Sequence, residues 1–532
     1  MFFLRKRIIS ATVLLIICFM GLAGRLFNIA TSSALVSAQS HLREKSVSST
    51  RGTIYDCNGK RLVNNKKSYA VCLIPTKENA VLLSKIKGKN YTDETLAKGY
   101  FTIIKEDTVD GIETNENMKI LPIFERYNDD LALHILGYTD TEGNGVCGIE
   151  KYYNEELIKS RGELSVVYSA DALGRMLTGD NVEIRSDNYY SHSGISLTIN
   201  RDIQAVAENA MKNGNINKGA VVVLEVDTGA ICACASAPSY KRDYISDYLN
   251  SEDSPFLNRA LSAFPVGSVF KPVTAAAAIE NNIELKDYYC NGKIDKNGNT
   301  FNCNKKEGHG KLSLDTALAY SCNPYFIELS TETGVDALLE TAVSLGFGRA
   351  QNIGNGFMSD TGNLPKREEI NSEAALGNLG FGQGSLTATP LQIAACFATI
   401  ANGGIYNKPY IFKGSVNKNG ALMPEIREKG TRVLNKNTCN TISQALLKTV
   451  TEGTGNLALS PLFDACAKTA TAQSGQYDDI GNEIMYCWFV GFFPYPNPKY
   501  VVCILKENGS SGGLDGAPVF KEISENIYLN NY

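Results

Sequence analysis

The longest apolar run in the chain lies at its start. Arg5-Lys6-Arg7 precedes an uncharged stretch from Ile8 to Ala23; Arg25 interrupts it and Leu26-Phe27-Asn28-Ile29-Ala30 continues it. Roughly 20 apolar residues span a bilayer as helix, and an arginine near the end of the run can reach the interface. Residues 1–30 are therefore predicted to be a cytoplasmic tail and one transmembrane helix. The basic residues ahead of the run place the N-terminus in the cytoplasm and the remainder outside. Gly21-Leu22-Ala23 also offers the small residues of a signal-cleavage site. The run is longer than a usual signal core, however, and no clear A-x-A follows it, which favours a retained anchor.

Beyond the run the pattern breaks into short elements. Residues 31–195 read as a separate, β-rich module. Asn58-Gly59 is a hairpin-turn signal between strand-like runs, and the stretch from Val109 to Asn128 is polar and poorly periodic. Gly143-Asn144-Gly145-Val146-Cys147-Gly148 fits G-x-G-x-x-G, but the polar Thr139-Asp140-Thr141-Glu142 before it is no strand, so a glycine-rich loop is predicted rather than a nucleotide site. A third module spans 196–532. Ile203, Val206, Ala207 and Ala210 share one face of a helix over Arg201 to Met211, opened by Asn200 or Asp202. Ala220 to Val226 is a continuous apolar strand, Asp227-Thr228-Gly229 its turn, and Ala230 to Ala235 the return. An Ala-rich helix opens at Ser268. Met485 to Phe493 and Tyr500 to Lys506 are strand-like, the latter rich in β-branched residues, and Ala517-Pro518-Val519-Phe520 opens a last helix. Strands, then helices, strands and a helix predict an α+β fold with an antiparallel sheet covered by helices.

Composition narrows the function. The chain has 532 residues, room for two or three domains, and a net charge of −4 with no long basic run, which argues against nucleic acid. It holds 14 cysteines, with no C-x-x-C pair. So many thiols on an exported protein point to a reducing or anaerobic habitat. Cys290 and Cys303 flank a Gly/Asn-rich loop and are the best-placed pair for a disulfide. With His309 they also offer metal ligands, although buried structural thiols are the commoner use, and no metal or other cofactor is expected in the catalysis.

The candidate chemistry centres on Pro265-Val266-Gly267-Ser268-Val269-Phe270-Lys271-Pro272. Positions i and i+3 of a helix share a face, so Lys271 stands beside Ser268. A serine hydroxyl needs a base to become a nucleophile, and burial turns a lysine into one by lowering its pKa. Ser321-Cys322-Asn323 follows as a Ser-x-Asn, and Lys468-Thr469-Ala470 is close to Lys-Thr-Gly. The three motifs in this order mark penicillin-binding proteins and serine β-lactamases. With the flanks Gly219 to Val223, Asn258-Arg259-Ala260, Gly380-Phe381-Gly382-Gln383-Gly384 and Thr387-Ala388-Thr389-Pro390-Leu391-Gln392, the chain resembles a class B penicillin-binding protein, a monofunctional peptidoglycan transpeptidase.

The resemblance implies a β-lactamase/penicillin-binding fold over 196–532 and a membrane-proximal pedestal, of the penicillin-binding-protein dimerisation type, over 31–195. It starts at Arg51-Gly52-Thr53-Ile54-Tyr55-Asp56 and recurs at Ile135 to Tyr138 and Gly148 to Tyr153. It implies a serine-type D-Ala-D-Ala transpeptidase acting on peptidoglycan stem peptides, with β-lactam antibiotics as donor mimics and a polytopic membrane glycan polymerase of the SEDS type as partner. Ser268 is then the nucleophile and Lys271 its base; Ser321 passes protons, Asn323 holds a substrate amide, and Lys468 adds positive charge. Thr469, Ala470 and Thr471 line the substrate site, with the backbone N–H groups of Ser268 and Thr471 as oxyanion donors. Rival readings are a D,D-carboxypeptidase or β-lactamase on the same fold, and a non-catalytic β-lactam sensor or scaffold. One departure stands out: Ala470 replaces the family's usual glycine, where a methyl between strand and helix risks overpacking. A small neighbour, with the alanines after Lys271 as candidates, would relieve it.

Overall fold

The computed structural model describes residues 2–40, 42–87, 94–112, 114–171, 173–177, 182–477 and 480–532. It divides into two units whose segments alternate along the chain: Met1–Arg51, Asn64–Arg126 and Arg161–Ser191 form one, and Gly52–Val63, Tyr127–Ser160 and His192–Tyr532 the other.

In the first unit the N-terminal helix runs over Phe2–Ser40. Its segment Arg5–Asn28, 24 residues with mean hydropathy 2.1, is long and apolar enough to cross a membrane. Two three-stranded sheets follow. Leu42–Thr50 pairs with Gly162–Ser169, which pairs with Glu183–Asp187; Lys66–Leu73 is central between Thr102–Glu106 and Met118–Glu125. Side chains of a strand alternate between faces. Ala70 and Cys72 accordingly enter one core, with Phe101 and Val166, and Val71 and Leu73 the other, with Leu83 and Leu96.

The second unit is built on a five-stranded sheet in the order Ile231–Ala237, Gly219–Glu225, Tyr500–Glu507, Glu483–Tyr495, Asp464–Tyr477, with every neighbour antiparallel. The continuous apolar strand is buried on both faces. Val221 and Val223 pack with helices Arg201–Asn213 and Ala517–Leu529, while Ala220, Val222 and Leu224 face the core that holds the helix Lys271–Glu280. Asn200 caps the Arg201–Asn213 helix, its side-chain oxygen accepting from the Asp202 and Ile203 N–H groups.

Two of the flanks are structural devices. Thr389 and Gln392 form a reciprocal capping box, Thr389 Oγ1 accepting from Gln392 N at 3.0 Å and Gln392 Oε1 from Thr389 N at 2.8 Å, with Pro390 in the first turn. Buried Arg259 is paired with Glu507 at 2.6 Å and also donates to the Ser254 and Asp253 carbonyls, tying its loop to the end of a core strand.

The start of the central helix differs from the sequence expectation. A 3₁₀ turn covers Gly267–Phe270, and α-helix begins only at Lys271. Lys271 N–H donates to Ser268 O, an i→i+3 bond. Pro272 lacks the N–H that would continue an α-helical ladder back to Ser268, which accounts for the tighter turn.

Candidate active site

The 3₁₀ turn Gly267–Phe270 sets how Ser268 and Lys271 are arranged. Residues i and i+3 share one side of this turn more closely than in an α-helix, which puts Ser268 and Lys271 on the same side; the Lys271 Nζ hydrogen bonds go to Ser321 and Asn323, not to Ser268. The turn is held from two sides. Gly267 takes φ +64 and its N–H donates to Gly382 O at 2.8 Å. A Cβ on Gly382, itself at φ +87, would lie 1.9 Å from Gly267 O, so only glycine fits there. On the sheet side, Trp488 Nε1 donates to Pro265 O at 2.9 Å.

Lys271 is fully buried. Its Nζ donates to Ser321 O at 2.7 Å, Ser321 Oγ at 3.1 Å and Asn323 Oδ1 at 2.7 Å. Lys468, equally buried on the edge strand Asp464–Tyr477, donates from Nζ to Ser321 Oγ at 2.9 Å and to Thr469 O at 2.9 Å. Ser321 Oγ thus accepts from both lysines. A hydroxyl oxygen has two lone pairs, so its one remaining hydrogen-bonding capacity is its own proton. Ser321 sits at φ 57 in the left-handed region, just past the helix Leu314–Ala319, and Cys322 N–H returns to Ala317 O at 2.9 Å. The next helix, Asn323–Thr333, has Cys322 as its N-cap residue, so the Ser321 side chain serves the site and not a cap.

Burial holds Lys271 down at about 7, partly offset by the Cys322 and Cys303 thiols. Lys468 is lowered well below its ordinary range, first by burial and then by the charge on Lys271. Two ammonium groups on one hydroxyl oppose each other's ionisation. The pair is consequently poised to hold a neutral amine near pH 7.

Ser268, Ser321, Asn323, Thr469, Ala470 and Thr471 all line one cleft of about 450 Å³. The structure therefore brings six of the predicted site residues to one cleft and ties the two buried lysines to it through Ser321, while among the described residues no hydrogen bond joins Lys271 Nζ to Ser268. It adds residues that the motifs did not announce. Thr454 shares a hydrogen bond with Thr469 at 2.6 Å, and Asn304, Asn456 and the Ser511–Leu514 segment add to the walls, with Gln383 from the Gly380–Gly384 flank beside them. That last segment is glycine-rich for a reason: a Cβ on Gly512 would lie 2.1 Å from Trp488 O and 2.6 Å from Ala470 O. The run Ser510-Ser511-Gly512-Gly513 was the one sequence signal for it. Asp515 anchors the segment, accepting from Lys506 Nζ at 2.8 Å and from Ser511 N at 2.9 Å.

Ala470 and Ala472 face the Gly267–Phe270 turn, as strand alternation predicts. The small neighbour is Gly267, not an alanine after Lys271: a Cβ on Gly267 would come within 3.4 Å of the Ala470 Cβ and 3.1 Å of the Ala472 Cβ. Behind Ser321, Cys290, Cys303, His309 and Cys322 gather into one potential metal-binding group; all described cysteines are free thiols.

The model of the penicillin binding protein transpeptidase domain matches residues 219–525, and that of the penicillin-binding protein dimerisation domain matches residues 46–119. The chain is 28% identical to stage V sporulation protein D of Bacillus subtilis, over 89% of this chain and 77% of that one. It is 30% identical to the peptidoglycan D,D-transpeptidase PbpA of Mycobacterium tuberculosis, over 80% of this chain and 94% of that one. Among solved structures, the D,D-transpeptidase domain of a peptidoglycan glycosyltransferase from Eggerthella lenta superimposes with a TM-score of 0.66 at 25% identity, covering 90% of this chain and 99% of that one.

Proposed function

The chain belongs to the penicillin-binding protein transpeptidase family, and from that premise we propose that it is a class B enzyme that crosslinks peptidoglycan stem peptides through an acyl-enzyme on Ser268. The observation that carries the reading is the buried network in which Lys271 and Lys468 both donate to Ser321 Oγ, and Lys271 also to Asn323 Oδ1, beside the cleft that Ser268, Ser321 and Asn323 line.

In this reading Lys271 in its neutral form keeps two of its three donor bonds, and the freed lone pair takes the Ser268 proton as Oγ attacks the penultimate carbonyl of a D-Ala-D-Ala stem. The Ser268 and Thr471 N–H groups hold the oxyanion. Ser321, its lone pairs filled by the two lysines, gives its proton to the leaving D-Ala amine and is reprotonated from the lysine pair. The terminal carboxylate binds Thr469 and Thr471, and its charge draws a proton onto Lys468. An amine from a second stem then takes the acyl group and releases Ser268. β-Lactams enter by the same attack and stop at the acyl-enzyme.

The apolar N-terminal segment acts as anchor with the N-terminus cytoplasmic; the pedestal, expected over 31–195, is reduced to the unit of Asn64–Arg126 and Arg161–Ser191, and Gly52–Val63 and Tyr127–Ser160 join His192–Tyr532 in the catalytic unit on the outer side, working with a SEDS-type polymerase. The apolar helix Arg5–Asn28 and the basic residues at its start support this placement. Purified full-length protein given lipid-linked glycan, a polymerase and labelled D-amino acid is expected to form crosslinked dimers and to exchange the label. Release of free D-Ala without either would make it a carboxypeptidase.

A further inference from the structure

Cys290, Cys303, His309 and Cys322 come from three separate local elements, yet each points its ligand atom at the same spot. Cys290 ends the strand Tyr288–Cys290, paired with Gly310–Leu312 beyond His309. Cys303 follows the strand Asn299–Asn302, and its N–H donates to Gly292 O at 2.8 Å. Cys322 lies between Ser321, just past one helix, and Asn323, the first residue of the next. All four ligand atoms lie within 4.8 Å of one another, with Cys303 Sγ 3.4 Å from His309 Nδ1 and 3.9 Å from Cys322 Sγ.

A tetrahedral zinc with Zn–S near 2.3 Å and Zn–N near 2.0 Å separates its ligands by about 3.8 Å for two sulfurs and about 3.5 Å for sulfur and nitrogen. The observed separations have that size. A disulfide needs sulfurs about 2.05 Å apart, uses two of the three thiols, and leaves the third with the histidine unexplained. The three thiols are buried, at 1%, 5% and 0% exposure for Cys290, Cys303 and Cys322. The His309 ring is held flat against Tyr320, 5.9 Å between centroids and 8° between planes. The loop is also close-packed around the site: a Cβ on Gly308, at φ +82, would lie 2.3 Å from Cys290 O, and one on Gly292, at φ +96, 2.0 Å from Lys306 O. Sequence spacing hides the set, because twelve residues part Cys290 from Cys303, five part Cys303 from His309, and twelve part His309 from Cys322.

We propose that Cys290, Cys303, His309 and Cys322 form a structural Cys₃His site for one Zn²⁺, which fixes the backbone between Ser321 and Asn323 and so positions the two side chains that hold Lys271. Each thiol loses its proton on binding, three thiolates and a neutral imidazole complete four-coordination, and no position is left for water or substrate. Cys322 is then a positioning residue behind the site. The metal also keeps three thiols from oxidising or mispairing in an exported protein.

Full-length protein purified in detergent without a metal-affinity tag is expected to carry about one zinc per chain by elemental mass spectrometry. Cys303→Ser and His309→Gln are expected to lose most of it, to melt lower and to acylate more slowly with fluorescent penicillin, whereas Cys396→Ser, at a buried thiol outside the cluster, keeps its zinc. Should the ligand variants fail to fold, wild-type protein exchanged with Co²⁺ is expected to show the visible absorption and sulfur-to-metal charge transfer of a tetrahedral thiolate site. A metal-free protein with an unchanged melt and unchanged acylation overturns the proposal. So does a Cys290–Cys303 disulfide in the folded protein, or iron in place of zinc. Metal content is read without turnover, so it stands or falls apart from the transpeptidase reading.

Discussion

At the scale of residues the site is a problem in proton placement. Lys271 has no carboxylate to hold its charge; its acceptors are a carbonyl, a hydroxyl and an amide oxygen. Burial therefore lowers it to about 7. The sign follows from the role proposed for it: a base works neutral, so acylation is expected to be slow at low pH and to rise as pH passes upward through about 7. The neutral fraction would be about a tenth at pH 6 and about nine-tenths at pH 8. Stopped-flow acylation by penicillin should trace that single rising limb, and a rate that is flat from pH 6 to 8 would remove Lys271 as the base. The serine–lysine pair and the Ser-x-Asn were readable from spacing alone. That Ser321 is left-handed and shared by two lysines was not, because it follows from two segments about 150 residues apart in sequence meeting in space.

At the scale of elements, the edge strand and the nucleophile turn fit through small residues on both sides. The predicted conflict at Ala470 does not arise, since Gly267 leaves the space that the methyl occupies. Ala470→Gly is therefore expected to acylate at least as fast as wild type, within about threefold, and to lose roughly 0.5–1 kcal/mol of stability for a glycine in a strand. Gly267→Ala is the informative partner. It adds a methyl at a φ of +64 and 3.1 Å from Ala472 Cβ, costing roughly 1–2 kcal/mol for the left-handed conformation alone, and acylation should fall about tenfold or more. A tenfold slower Ala470→Gly with an unaffected Gly267→Ala would reverse this account of the interface. The antiparallel sheet, its helical covers and the last strands and helix were legible because continuous apolar, β-branched runs and helical period are local signals. The 3₁₀ start of the central helix and the Ser511–Leu514 wall were not: one depends on a missing N–H at Pro272, the other on what stands across from Gly512.

At the scale of the whole molecule, sequence order and spatial grouping part company. Gly52–Val63 and Tyr127–Ser160 precede the catalytic region in sequence yet belong to its unit. Thr53–Tyr55 pairs in parallel with Gly194–Leu197, Ile54 is wholly buried, and buried Asp56 accepts from the Asn58, Lys60 and Arg201 N–H groups. No composition change marks this, since the segments are short and read as ordinary turn and strand. A chain shortened to 196–532 should consequently be less stable than 31–532 by ~3 kcal/mol or more, from the lost burial of Ile54 and Tyr55 alone. Thermal melts of the two compare it directly, and equal midpoints would show that the early segments add nothing to the catalytic unit.

All of these expectations presuppose that Ser268 is the nucleophile. The direct measurement is mass spectrometry of the protein after reaction with a β-lactam and proteolysis. One adduct per chain, on the peptide containing Ser268 and lost in Ser268→Ala, is the predicted result. An adduct on Cys322, on Ser321 or on any other residue, or a Ser268→Ala protein that still acylates, would contradict it.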